Sequence, residues 1–351
     1  MLNANDRRSD FNADWPSSEG VHYGILTTPV ACLTRLFTPT QVALWAKLEQ
    51  LQPSGSVKER SAHFLLAGLE AQGRLDRSTV LVASTSGNLG VALARQCTVR
   101  GLTMIAVVDE ITNAATLRTM RAFGAQIDVV QAPVGGNRLA ARIARVEQLV
   151  SQIPAAIKVD QYASTDNPRA HAETTFPELV EQLGQMPTDL YVATSTVGTL
   201  LGCQQAIECS GAATRLVAVD AAGSALFGGV PGERKLPGVG AGVESDHAQR
   251  AHPADVRRID EADMVRGARL LARREGLLAG ASTGAVVAAI EADLDRFDRH
   301  SVVAMLVHDA GAAYLDTVYD DAWVEREIAD PERALGRTDE WTGLGSEAVG
   351  W

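Results

Sequence analysis

From residue 42 onward, short apolar runs alternate with longer helical stretches. The runs at 42–48, 79–84, 103–109, 126–131, 189–194, 215–220 and 301–307 are rich in Val, Ile, Leu and Ala, which predicts strands. Helices are expected over about 57–72, 87–100, 113–123, 138–151, 168–183, 198–210, 261–275, 283–297 and 312–329. Strands that read as unbroken apolar runs between helices belong to parallel sheets covered on both faces. The fold class is therefore α/β. The Gly- and Pro-rich stretch 221–245 is too long for an ordinary connection and reads as a functional loop. The polar tail 331–351 reads as disordered. No internal repeat or low-complexity segment interrupts the pattern.

Composition narrows this picture without changing it. The chain has 351 residues, 46% hydrophobic and 21% charged, ample for one large or two medium domains. No apolar run is long enough to span a bilayer, and "MLNANDRRSDFNADWPSSEG" lacks the apolar centre of an export signal. A formal net charge of −11 argues against nucleic acid or an anionic membrane as a partner. Cys32, Cys97, Cys203 and Cys209 show no CxxC spacing, which points to a reducing, cytoplasmic setting rather than zinc or a disulfide framework.

The candidate chemistry begins with "QPSGSVKER" (52–60), where a Pro-Ser-Gly turn delivers Lys58 to the start of a helix. The positive end of the helix dipole disfavours an ammonium there. The chain carries only four lysines against 28 arginines, so this amine is conspicuous. Three segments, "VLVASTSGNLGVALA" (80–94), "LYVATSTVGTLLGC" (190–203) and "GLLAGASTGAVVAAI" (276–290), lead an apolar run through a Ser/Thr/Gly turn into a helix. Such turns present backbone N–H groups and hydroxyls to anions, although each could equally be a simple helix cap. No Walker A loop, GxGxxG, HExxH or GxSxG is present, and no metal-ligand spacing.

Taken together, these segments resemble the fold-type II pyridoxal phosphate (PLP) enzymes of the cysteine synthase family, over residues 24–329 and in matching order. "PSGSVKER" is similar to that family's cofactor-lysine motif, "STSGNLG" to its substrate-carboxylate loop, "STVGTLLG" to its cofactor-phosphate loop and "GASTGA" to its pyridine-nitrogen serine motif. The resemblance implies PLP as cofactor and a tryptophan synthase β-like architecture: two domains, each with a helix-covered, mostly parallel twisted sheet. Residues 1–47 and 164–330 would form the large domain that holds the PLP phosphate, and 48–163 a smaller mobile one. It implies Lys58 as the lysine that carries the cofactor and serves as base, its protonation disfavoured by the helix N-terminus. Asn88 would bond the PLP 3′-oxygen, and Thr85, Ser86 and Gln161 the substrate carboxylate. Ser195, Thr196, Gly198 and Thr199 would lie at the phosphate, and Ser282 at the pyridine nitrogen. A serine there leaves the ring a weaker electron sink than a carboxylate would, which favours β-elimination over transamination. A homodimer is also implied.

Departures from the family pattern narrow the reading. The phosphate loop reads STVGT rather than the glycine-richer GTGGT, Leu89 replaces the Thr that commonly follows SGN, and "AGAAYL" (310–315) stands for SGERYL. With "VVD" (107–109), "GGNRLAARIARVEQL" (135–149), "DQYAS" (160–164) and "LPGVGA" (236–241), these features resemble a subgroup of 2,3-diaminopropionate and siderophore biosynthesis. That subgroup joins O-phospho-L-serine to L-glutamate. There Arg142, Tyr162 and Ser195 fall on positions that handle phosphoserine, while Arg142 could equally belong to a solvated helix face. Arg234 and Lys235 are rival anion contacts. Cysteine or S-sulfocysteine synthesis with sulfide or thiosulfate is the alternative reaction. A catalytically silent PLP-binding regulator is an alternative of another class.

Overall fold

A computed structural model of the chain describes residues 24–37, 42–131 and 138–336. The N-terminal 20 residues, part of the motif at 135–149 and residues 337–351 of the tail lie outside the described residues.

The apolar runs form two parallel sheets. The larger contains β1 (Val30–Cys32), β2 (Ala43–Lys47), β7 (Asp189–Ala193), β8 (Arg215–Ala221), β9 (Asp255–Ile259) and β10 (Val302–Leu306), in the order β1-β2-β10-β7-β8-β9. Only β1 runs antiparallel, against β2. The smaller contains β3 (Val80–Ser84), β4 (Thr103–Asp109), β5 (Gln126–Val130) and β6 (Ala156–Lys158), all parallel, in the order β5-β4-β3-β6. All seven expected strands form. The three that the pattern missed, β1, β6 and β9, are edge strands, where half-buried and polar positions replace the unbroken apolar run.

The small sheet is accompanied by α1 (Lys58–Ala71), α2 (Asn88–Arg100), α3 (Ala114–Ala122) and α4 (Arg138–Gln152). The expected helix 168–183 is instead α5 (Asp166–Ala170), a π-turn at His171–Thr175, and α6 (Phe176–Leu183). With the large sheet come α7 (Gly198–Ser210), α8 (Asp246–Arg250), α9 (Glu261–Glu275), α10 (Ala281–Ala292), α11 (Asp321–Glu327) and α12 (Pro331–Leu335). The expected helix 312–329 is broken into a 3-10 turn at Gly311–Tyr314 and α11, which Asp320 caps through the Ala322 N–H. Residues 331–335, expected to open a disordered tail, instead form α12, because Ala334 and Leu335 are buried in the large core.

Helix α10 is the spine of the large core, buried at every position from Ala281 to Ile290. It crosses α9 where two glycines meet: a Cβ on Gly284 would lie 1.9 Å from the Met264 carbonyl oxygen, and one on Gly267 2.2 Å from that of Gly284. This close approach fixes the N-terminus of α10, and with it Ser282.

A buried ion cluster fixes α1 in the same way. The Arg60 guanidinium donates to Glu49 at 2.7 and 2.8 Å and to Glu178 at 2.7 Å twice, and Lys47 Nζ stands 2.9 Å from Glu178. Arg60, Glu49 and Lys47 have fully buried side chains. Two acids balance two bases, so the charges stay compensated away from water. The cluster anchors the first turn of α1, two residues beyond Lys58, to β2 and α6.

Candidate active site

The site lies where the carboxyl ends of the parallel strands in both sheets meet helix N-termini, the usual ligand crevice of open α/β sheets. Lys58 opens α1 and is half-buried. Burial of the amine lowers its pKa from 10.5 to about 8, while the carboxylate of Asp309 pulls the other way. Desolvation is the larger of these two effects, and it acts on an amine that also stands at a helix N-terminus.

Asp309 follows the C-terminal end of β10 and is buried. Its Oδ2 accepts from Asn88 Nδ2 at 2.7 Å and from the Tyr314 hydroxyl, and its Oδ1 lies 3.4 Å from Ser282 Oγ. Burial raises the Asp309 pKa, and the three donors oppose that rise. Asn88 and Ser282, assigned to two different atoms of the cofactor ring, are thus joined through one carboxylate that the motifs did not single out. The signal for it was available: "HD" directly follows the apolar strand run "SVVAMLV", at the end of a strand that faces the crevice.

The loop Ser195–Thr199 joins β7 to α7, whose first N–H groups have no intrahelical partner. Val197 caps this helix in the left-handed region, φ 67°, where β-branched residues are rare. Asn167 holds the loop from the side. It accepts from Ser61 Oγ at 2.8 Å, donates to the Gln161 carbonyl at 2.8 Å, and approaches Thr196 Oγ1 at 3.4 Å. A Cβ on Gly198 would lie 2.4 Å from the Asn167 amide nitrogen, so the loop and this amide are in direct contact. His171, in the π-turn, faces Ser61 Oγ and Thr199 Oγ1, each at 3.2 Å from Nε2. Burial and the neighbouring cations Lys58 and Arg60 lower its pKa well below 6.5, so it is neutral. Nothing in the sequence pattern marked Asn167 or His171: His171 lies inside what reads as one helix, 168–183, and Asn167 directly precedes it.

On the small-sheet side, Thr85 is buried and packs against Gly90, where a Cβ would meet its methyl at 2.9 Å. Ser86 is half-buried, and a Cβ on neighbouring Gly87 would point into open space. The Gln161 carbonyl accepts from Asn167 and faces His247 Nε2 at 3.2 Å. Tyr162 is anchored by its N–H to Asp160 Oδ1 at 2.9 Å. Burial raises the pKa of its hydroxyl, and the charges of Arg142 and Arg234 oppose this. Arg142 is mostly buried rather than on a solvated helix face: its Nη1 is 3.0 Å from Asp109 Oδ2, as an ion pair rather than an aligned hydrogen bond, and Nε and Nη1 have no hydrogen-bond acceptor. Arg234 donates from Nη1 to the Val239 carbonyl at 3.1 Å, and its Nε is likewise without an acceptor. Lys235 turns away, pairing with Glu233 and Glu327.

His308 adds a neutral imidazole. Its Nε2 accepts from the Ala193 N–H at 3.2 Å, and burial with Lys58 nearby lowers its pKa to about 3. The proton therefore sits on Nδ1, while the hydroxyls of Ser54, Ser56 and Ser84 are buried without a hydrogen-bond partner. Among the described residues no cluster of His, Cys, Asp and Glu could hold a metal ion, and no helix is long and apolar enough to cross a membrane.

These features define a class. A nucleophilic amine with a depressed pKa, a helix N-terminus with its anion loop, and buried polar atoms left without protein partners fit an aldehyde cofactor that carries a phosphate. Consistent with this, residues 21–309 match the family model described as "Pyridoxal-phosphate dependent enzyme". The chain is 39% identical over 303 residues to the N-(2-amino-2-carboxyethyl)-L-glutamate synthase of Ralstonia nicotianae, covering 86% of this chain and 90% of that protein. Among solved structures it is similar to an O-acetylserine dependent cystathionine beta-synthase from Helicobacter pylori, with TM-score 0.77, 30% identity, and coverage of 84% of this chain and 96% of that one. It is also similar to an O-ureido-L-serine synthase, with TM-score 0.80, 26% identity, and coverage of 88% and 100%. The chain belongs to the PLP-dependent enzymes of fold type II, as a β-substitution enzyme of the cysteine synthase family.

Proposed function

We propose that the enzyme transfers the alanyl portion of O-phospho-L-serine to the amine of L-glutamate, giving N-(2-amino-2-carboxyethyl)-L-glutamate and phosphate. The observation that carries this reading is Arg142, a mostly buried guanidinium beside Tyr162 whose Nε and Nη1 lack hydrogen-bond acceptors. A doubly charged leaving group is a fitting partner for such a group. The similarity to the Ralstonia synthase points the same way.

PLP, when bound, would withdraw electrons from the substrate Cα, so that the Cα proton becomes acidic and the β-substituent can depart. The chain supplies the rest. Lys58, neutral above pH 8, takes the Cα proton and later returns it. The Cβ–O bond breaks with its electron pair on phosphate, the amine forms the Cβ–N bond, and the proton it sheds neutralises the departing phosphate. Ser195, Thr196, Gly198 and Thr199 would hold the cofactor phosphate, Asn88 and Ser282 its ring, and Thr85, Ser86 and Gln161 the substrate carboxylate. Closure of the smaller domain, 48–163, would exclude water, and a homodimer would be the working assembly.

The sulfur-acceptor alternative keeps every cofactor contact and changes only the nucleophile. Mass spectrometry of the products from O-phosphoserine with L-glutamate, sulfide or thiosulfate tests the choice. The adduct is expected with glutamate; cysteine or S-sulfocysteine alone would transfer the enzyme to sulfur chemistry.

A further inference from the structure

His308 has no part in the chemistry assigned above, yet it stands where three segments of the site meet. It lies just beyond β10 and is buried, as is its neighbour Asp309. Its backbone is tied on two sides. The His308 N–H donates to Thr283 Oγ1 at 3.1 Å, next to Ser282 in the first turn of α10. The His308 carbonyl accepts from the Val57 N–H at 2.8 Å, one residue before Lys58. The ring makes the third tie, where Nε2 accepts from the Ala193 N–H at 3.2 Å. Ala193 is the last residue of β7, two before Ser195.

Only the third tie depends on the side chain. The pairing of β10 with β7 ends at Met305 and Tyr191. Past that point β10 leads to Asp309, β7 leads into the Ser195–Thr199 loop, and the imidazole holds the Ala193 N–H. A buried N–H that loses its acceptor is costly, so this bond fixes where the loop begins. The ring must be neutral to make it, because an imidazolium has no acceptor nitrogen. Burial and the charge of Lys58 keep it so.

A cofactor gripped by its phosphate at one end and by an amine at the other needs a set distance between the two anchors. Val57 and Ala193 both bond to His308, so both anchors take their spacing from one residue. We infer that His308 is a positioning residue that sets the span between Lys58 and the cofactor-phosphate loop, through its carbonyl on one side and its imidazole Nε2 on the other. The inference rests on the placement of the phosphate at Ser195–Thr199 and holds for any acceptor.

The test reads the PLP affinity of the apoprotein by fluorescence titration, and the environment of the bound phosphate by phosphorus NMR. His308→Leu removes the ring acceptor and leaves both backbone ties. It is expected to weaken PLP about tenfold and to shift the phosphorus resonance. His308→Gln places an amide oxygen within reach of Ala193 and should restore most of the affinity, whereas the shorter amide of His308→Asn should not. Leu335→Ala separates positioning from general stability: it loosens the large core at α12 and should lower the urea midpoint with PLP affinity unchanged. Wild-type affinity in both His308→Leu and His308→Asn would overturn the positioning role, and so would an equal loss in Leu335→Ala. Thr199→Val tests the phosphate placement itself. Weaker PLP binding there, with wild-type affinity in His308→Leu, would remove His308 and leave the placement standing; wild-type affinity in both would overturn the two together.

Discussion

Asn88 Nδ2 donates to Asp309 Oδ2 at 2.7 Å, joining the first residue of α2 beside the small sheet to the residue chain that leaves β10 in the large one. The same oxygen accepts from Tyr314, and the other oxygen faces Ser282. One buried carboxylate thus orients two side chains proposed to hold the cofactor ring.

Asp309→Asn should therefore weaken PLP binding. The amide oxygen can keep Asn88 and Tyr314, but its N–H₂ then stands where Oδ1 accepted from the Gly280 N–H and faced Ser282 Oγ, setting donor against donor. Leaving a buried donor without a partner costs about 1–3 kcal/mol, or roughly tenfold to a hundredfold in affinity. Fluorescence titration of the apoprotein with PLP measures this, and unchanged affinity would remove Asp309 from the positioning role.

For Lys58, alkylation or reductive methylation of the apoprotein should show a midpoint near pH 8 rather than 10.5. The sign of its stability effect follows from linkage. Between pH 8 and 10.5 the unfolded chain keeps this proton and the folded one has lost it, so this group's contribution to stability rises with pH across that window. Lys58→Met should flatten that rise in urea denaturation and abolish turnover. Retained turnover would exclude Lys58 as the base.

Val197 gives a test of backbone strain. At φ 67° a glycine is unstrained, whereas a Cβ costs about 1–2 kcal/mol. Val197→Gly and Val197→Ala both lose the buried valine side chain, but the usual order of stability should invert, with Gly above Ala by about 1 kcal/mol. Thermal or urea unfolding of the pair decides it.

The Arg60 cluster predicts a large penalty. Arg60→Ala leaves Glu49 buried and uncompensated, and Glu178 with only Lys47, which should destabilise the fold by about 3–5 kcal/mol. A loss below ~1 kcal/mol in urea denaturation would show that water enters the cluster readily.

Asn113 links the two sheets differently. Its Oδ1 caps α3 through the N–H groups of Ala115 and Thr116, and its Nδ2 donates to the Ala313 carbonyl at 3.1 Å. Asn113→Asp keeps the cap and sets a carboxylate against that carbonyl. Helix content should be unchanged, while small-angle scattering should report a more open molecule and the donor KM should rise several-fold. An unaltered scattering profile would show that this contact does not hold the cleft.

The sequence alone located seven of the ten strands among the described residues through their apolar runs, but not the edge strands β1, β6 and β9. It also located the helix-opening turns at Lys58, Asn88, Gly198 and Ser282, since turn chemistry is local. The π-turn at His171 and the break after Tyr314 were not legible, because the helical pattern continues through the first and close tertiary contacts set the second. Tertiary structure alone decided that Asp309 joins Asn88, Ser282 and Tyr314, and that Asn167 and His171 brace the loop at Thr196 and Thr199. It also decided that Arg142 is buried against Asp109, and that burial depresses the pKa of Lys58. Such relations depend on which distant side chains share a desolvated space, and local pattern carries no record of that.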